Sequence, residues 1–103
     1  MAHNQTENQA RYHRYLEAER EAVALYTTMA EAERDPQRAE IFRELAKSER
    51  SHVVYWSEKL GLPSDDVPSP RVSFRVRLLG RLARLLGTRL VLPLVLRIEG
   101  DDT

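Results

Sequence analysis

The segment Asp35-Pro36-Gln-Arg-Ala-Glu-Ile-Phe42-Arg-Glu-Leu45-Ala-Lys-Ser-Glu49-Arg-Ser-His52-Val-Val-Tyr-Trp56-Ser-Glu-Lys-Leu60-Gly61 decides the fold. Aspartate before proline is a helix N-cap with proline at the first helical position, and Gly61, with Pro63 beyond it, is a stop. Residues 36–60 therefore read as one helix. Within it Phe42, Leu45, Glu49, His52, Trp56 and Leu60 recur every three or four residues, which places them on one face. Upstream, residues 6–33 are rich in Ala, Glu, Arg and Leu and contain no Gly or Pro, so they form a second long helix. Its seam runs Tyr12, Leu16, Glu19, Val23, Tyr26, Ala30. The short link at Arg34 and Asp35 makes the two helices antiparallel neighbours, and the fold class is all-α.

Three seam positions carry ionisable groups where apolar side chains belong: Glu19, Glu49 and His52. Taking an ionised carboxylate out of water is costly unless it is paired or bound to a metal. In an antiparallel pair of equal rise, residues at one level have numbers summing to about twice the midpoint of the turn, here near 69. Glu19 with Glu49 sums to 68 and Glu19 with His52 to 71, so all three fall within one helical turn of the same level. Carboxylate oxygens with an imidazole suit Fe(II), Mn(II) and Zn(II), and a Glu-x-x-His spacing lets both side chains reach one ion. The alternative is a hydrogen-bonded group that holds no ion. Glu17 and Glu21 lie off the seam and read as solvated, with Glu21 within reach of a site edge; Tyr26 and Trp56 read as core.

The chain has 103 residues, 42% hydrophobic and 31% charged, which is one small domain with a modest core. It contains no cysteine, excluding disulfides, thiolate metal sites and a cysteine nucleophile, and the expected location is cytoplasmic. Residues 62–70, with three prolines, read as a linker. A basic third helix is expected over 73–86, a stop at Gly87, and a short fourth helix over 88–98 bent or broken at Pro93. The apolar stretch from Leu90 to Leu96 falls far short of the ~20 residues that span a bilayer.

Net charge is zero but unevenly spread: residues 71–98 hold seven arginines and no acid. Arg75, Arg77, Arg81 and Arg84 alternate with Phe74, Leu78, Leu82 and Leu85, a pattern that suits an anionic membrane surface, at the cytoplasmic face, or a protein partner. The plainer reading is a packed helix with a solvated face. A membrane-peripheral or protein-interaction module working through 71–89 is thus the alternative function. Nucleic acid is not an expected partner, because stacking aromatics and an overall basic charge are both lacking.

The runs Glu19-Arg-Glu-Ala-Val-Ala-Leu-Tyr26 and Ile41-Phe-Arg-Glu-Leu-Ala-Lys-Ser-Glu49-Arg-Ser-His52, followed by Trp56, resemble the ferritin-like (rubrerythrin) superfamily. The stretches Arg77-Leu-Leu-Gly-Arg-Leu-Ala-Arg-Leu-Leu-Gly87 and Leu90-Val-Leu-Pro-Leu-Val-Leu-Arg-Ile-Glu99 narrow the likeness. They are similar to the cytosolic ferritin-like domain attached to bacterial vacuolar iron transporter proteins, which move iron or manganese through a separate membrane domain. The resemblance implies half of a four-helix bundle that binds iron (Fe2+/Fe3+), alternatively manganese, through Glu19, Glu49 and His52. It adds Glu99 as a candidate ligand; for Tyr26, read as core, the alternative is a hydroxyl near the ion as hydrogen-bond donor or radical source. The family's second Glu-x-x-His has no counterpart before Thr103, so the expectation is either a longer parent with a membrane domain or a homodimer or larger homo-oligomer. Cytosolic metal capture, sensing or delivery is the expected role. Ferroxidase-type di-iron activity would require that completed site.

Overall fold

In a computed structural model, residues 2–65 and 70–101 are described. They form four helices, α1 (Ala2–Ala32), α2 (Pro36–Leu60), α3 (Pro70–Leu86) and α4 (Thr88–Asp101), and no strand is present among the described residues. The all-α class and the long antiparallel pair are as expected. Helix α2 has the expected bounds. Helix α1 starts four residues earlier than expected and ends one earlier, and α3 begins at Pro70 rather than 73. Helix α4 passes through Pro93 to Asp101 instead of ending at 98.

The ends of α2 show why it stops where it does. The Asp35 side chain accepts a hydrogen bond from the Gln37 N–H at 3.3 Å, and Pro36 supplies a first residue with no N–H to satisfy. At the other end Gly61 adopts φ 68°, where a side chain would be strained. The Gly61 N–H then donates to the Glu58 carbonyl and the Leu62 N–H to the Ser57 carbonyl, closing the open helix end.

Helix α1 is the shared wall of the molecule. One of its faces, with Leu16 and Val23, packs on Val53 of α2, flanked by Trp56 and Leu60. A second face, with Leu25, Met29 and Ala32, packs on Val76, Leu79 and Ala83 of α3 and Val91 and Val95 of α4, with Phe42 of α2 joining below. Burial on two sides leaves α1 with little amphipathic contrast, whereas α3 keeps a clear apolar face. The seam expected on α2 is shifted: Ala39, Phe42, Ala46, Val53 and Ser57 are buried, while Leu45 is 40% exposed. An offset of one residue turns the stripe by about 100°, so Leu45 and His52 lie on its rim.

Side-chain contacts fasten α3 and α4 to α1. Glu21 is 4% exposed and forms an ion pair with Arg75, so the solvated role expected for Glu21 is overturned. The second face of α1 buries its carboxylate, and a buried carboxylate requires a partner. Glu33 accepts hydrogen bonds from the Asp35 N–H, at 3.1 Å, and from the buried Thr88 hydroxyl. That contact holds the first turn of α4 against the hairpin turn, and the Thr88 hydroxyl keeps the Glu33 carboxyl below its usual range. Arg20 reaches the linker, donating to the Asp65 carbonyl at 3.1 Å. At the α1–α3 crossing a Cβ built on Gly80 would come within 2.6 Å of the Thr28 methyl.

Two substitutions probe this packing. Gly80→Val is predicted to destabilise the protein by about 1–3 kcal/mol, as overpacking does, read as a lowered midpoint of urea unfolding. Arg75→Met leaves the buried Glu21 carboxylate without its arginine and is predicted to cost about 1–3 kcal/mol, whereas Arg77→Met on the exposed face stays within about 0.5 kcal/mol of the parent.

Candidate metal centre

Glu19 projects from the middle of α1, and Glu49 and His52 project one turn apart from α2. The register set by the Arg34–Asp35 turn brings the three together. His52 Nδ1 lies 3.3 Å from Glu19 Oε2 and 3.2 Å from Glu49 Oε2. One ligand atom from each residue falls within a 4.8 Å span. The convergence read from residue numbers alone is therefore present in space.

The depth of the cluster differs from expectation. The Glu19 and Glu49 side chains are each 22% exposed, but that of His52 is 51% exposed. The site is a half-open notch on the rim of the α1–α2 interface and not a sealed pocket. The buried core of the same interface is Leu16, Val23 and Val53. One turn beyond His52 lies an aromatic group in which Trp56 meets Tyr12, Tyr15 and Tyr55 at ring distances of 5.2, 4.9 and 4.8 Å.

Two carboxylates at one half-buried place cannot both ionise freely. Burial, with the hydrogen bond and charge of Glu49 added to it, pushes Glu19 up to about 7 against the opposing pull of His52. Burial works against a charged imidazole, but the hydrogen bonds and charges of Glu19 and Glu49 outweigh it and raise His52 above its ordinary value. Without an ion, protons shared among His52 Nδ1 and the two carboxylates hold the group together.

The remaining candidates are placed differently. Tyr26 packs against the cluster built from Leu25, Met29, Val76 and Val95, two turns along α1 from Glu19. The backbone of Glu99 belongs to α4, and its side chain lies outside the described residues. Glu17, half-exposed, pairs at 3.0 Å with the largely covered Arg20. The Glu21–Arg75 pair was missed by reading a single seam. The sequence did hold a signal for it, since Ala22, Leu25, Met29 and Ala32 repeat at helical spacing and mark a second buried face beside Glu21.

The chain matches no protein-family model, no curated protein and no solved structure.

The protonation of this cluster sets a pH prediction. Glu19 and His52 both hold their protons more tightly folded than unfolded, so their stabilising contribution is present at low pH and is lost as pH rises through their folded values. Metal-free protein in chelator is predicted to lose stability between about pH 5 and pH 8. Glu19→Gln, which cannot ionise, should flatten that slope in a series of unfolding curves. Glu33, whose value is lowered, acts with the opposite sign and only in the acid range below the ordinary carboxylate value.

Proposed function

We propose that Glu19, Glu49 and His52 bind a divalent transition-metal ion, iron or alternatively manganese, and that the chain is a ferritin-like module for metal capture, sensing or delivery. One observation carries the reading: Nδ1 of His52 faces both carboxylates at 3.3 and 3.2 Å. Metal–ligand distances of about 2.1 Å put neighbouring ligands about 3.0 Å apart around an octahedral ion and about 3.4 Å apart around a tetrahedral one. The two edges from Nδ1 already match that spacing, and the group as a whole, within 4.8 Å, needs only a small closure around an ion that replaces the shared proton. Two carboxylates and one imidazole form a hard-to-borderline donor set, appropriate to Fe(II) or Mn(II).

Three protein donors leave coordination positions open, and the exposed side of His52 is where an ion would enter and leave. This favours loading and release over permanent structural binding. Ile41 and Leu45, 59% and 40% exposed, line up with His52 along α2. A second copy laid across that stripe in two-fold symmetry would bring another Glu19, Glu49 and His52 to the open side. Oxidation of Fe(II) at a pair of ions needs such a doubled donor set, so the activity proposed for the single chain is binding. Delivery to an iron or manganese membrane transporter is the context in which a module of this kind would work at the cytoplasmic face.

Anaerobic titration with Fe(II), and separately with Mn(II), tests the assignment when molar mass is followed by light scattering. Saturable binding approaching one ion per chain is expected, at least tenfold weaker in Glu49→Ala, with mass rising toward a dimer as the ion is added. Absence of binding by the parent chain at any mass would leave the three side chains as a hydrogen-bonded group and overturn the proposal.

A further inference from the structure

The arginine-rich helix supports a second inference that does not depend on the metal site. We propose that the outward face of α3, together with the cleft at its C-terminal end, docks onto an anionic lipid surface.

Helix α3 is held against α1 and α4 by Val76, Leu79 and Ala83, which are at most 6% exposed. Its opposite face carries a second apolar stripe of Phe74, Leu78 and Leu85, at 66%, 49% and 81% exposure. At 100° per residue these three lie within about 40° of one another around the axis, so they form one line. Arg77, Arg81 and Arg84 border that line on one side and Arg71 on the other, all exposed. An apolar strip bordered on both sides by cations is the arrangement of a helix lying in a lipid interface, with acyl chains below and headgroup phosphates at its flanks. From Phe74 to Leu85 the strip runs about 16 Å along the helix.

The same chemistry continues past the end of the helix. A cleft of about 480 Å³ between the hairpin turn and the start of α4 is lined by Arg34, Arg38, Arg84 and Arg89 beside Leu85 and Leu90. Glu33 also borders it, but its carboxylate is engaged by Thr88 and the Asp35 N–H. Guanidinium forks suit phosphate oxygens, and leucines at the cleft mouth suit the chains attached to them. Residues 71–98 hold seven arginines and no acid, and of these Arg75 is engaged by Glu21. Arginine is common at protein interfaces as well, so the choice of lipid rests on the absence of any acid over 71–98 and on an apolar line flanked by cations along one helix. No helix among the described residues is long and apolar enough to cross a membrane, so the mode is lying on the surface.

Co-sedimentation of the full chain with vesicles, in chelator, tests the proposal. Phosphatidylcholine vesicles with about a third phosphatidylserine should bind it and phosphatidylcholine alone should not, with binding weakening as salt rises. Arg77→Gln with Arg81→Gln should weaken binding by roughly 25-fold, about fivefold for each charge removed. Phe74→Ser with Leu85→Ser should weaken it at least tenfold without lowering the unfolding temperature, because both side chains are exposed. A tryptophan introduced by Phe74→Trp should be quenched by brominated lipid, while the native Trp56 on α2 should not. Equal binding to neutral vesicles, no binding to either, or unchanged binding by the arginine variant would each overturn the proposal. Self-association removed by Phe74→Ser with Leu85→Ser, without vesicle binding, would also overturn it and identify the face as a contact between copies.

Discussion

The register between α1 and α2 is set at Asp35 and Pro36, and the distances in the carboxylate–imidazole cluster depend on it. A cap that begins α2 one residue later would move Glu49 and His52 by about 1.5 Å along the axis and turn them by about 100°. Glu19 would then face a different pair of side chains. The cap is also reinforced from outside the hairpin, because Glu33 accepts from the Asp35 N–H and from Thr88 of α4 with its two oxygens. One carboxylate thus ties the turn that sets the register to the first turn of the last helix.

That arrangement separates the working surfaces. The notch formed by Glu19, Glu49 and His52 lies on the rim of α1 and α2, while α3 and α4 pack on the second face of α1 and, apart from Arg75 paired with Glu21, leave their arginines exposed. Packing of α3 needs only its inner stripe, so Phe74, Leu78 and Leu85 are not required for the internal core. Likewise Ile41 and Leu45 sit outside the buried stripe of α2. Exposed apolar side chains are common on protein surfaces, but two aligned strips beside charged groups are informative.

Charge is handled differently in the two interiors. Glu21 is deeply buried and neutralised by Arg75, a pair that fastens α3. Glu19 is less buried and lies opposite another carboxylate, so in the metal-free protein its charge is opposed by the fold and only partly offset by His52. A group held this way gains most from an arriving cation, which gives a physical reason for the cluster to favour an ion. The contrast between the two glutamates, two residues apart on one helix, comes entirely from which neighbour each faces.

Most of the helix plan was legible in the sequence, because Asp35-Pro36, Gly61 and Gly87 act through local backbone geometry and the seams repeat at helical spacing. The meeting of Glu19 with Glu49 and His52 was legible as well, since a short turn between two regular helices makes register a matter of counting. Tertiary structure decided what counting could not reach. It buried Glu21 against Arg75, rotated the α2 stripe so that Leu45 and His52 came to its rim, and carried α4 through Pro93. The first and last depend on which face of α1 receives α3 and α4, and the second on how α2 rolls against α1. That choice is made by long-range packing, and the spacing within any one helix does not encode it.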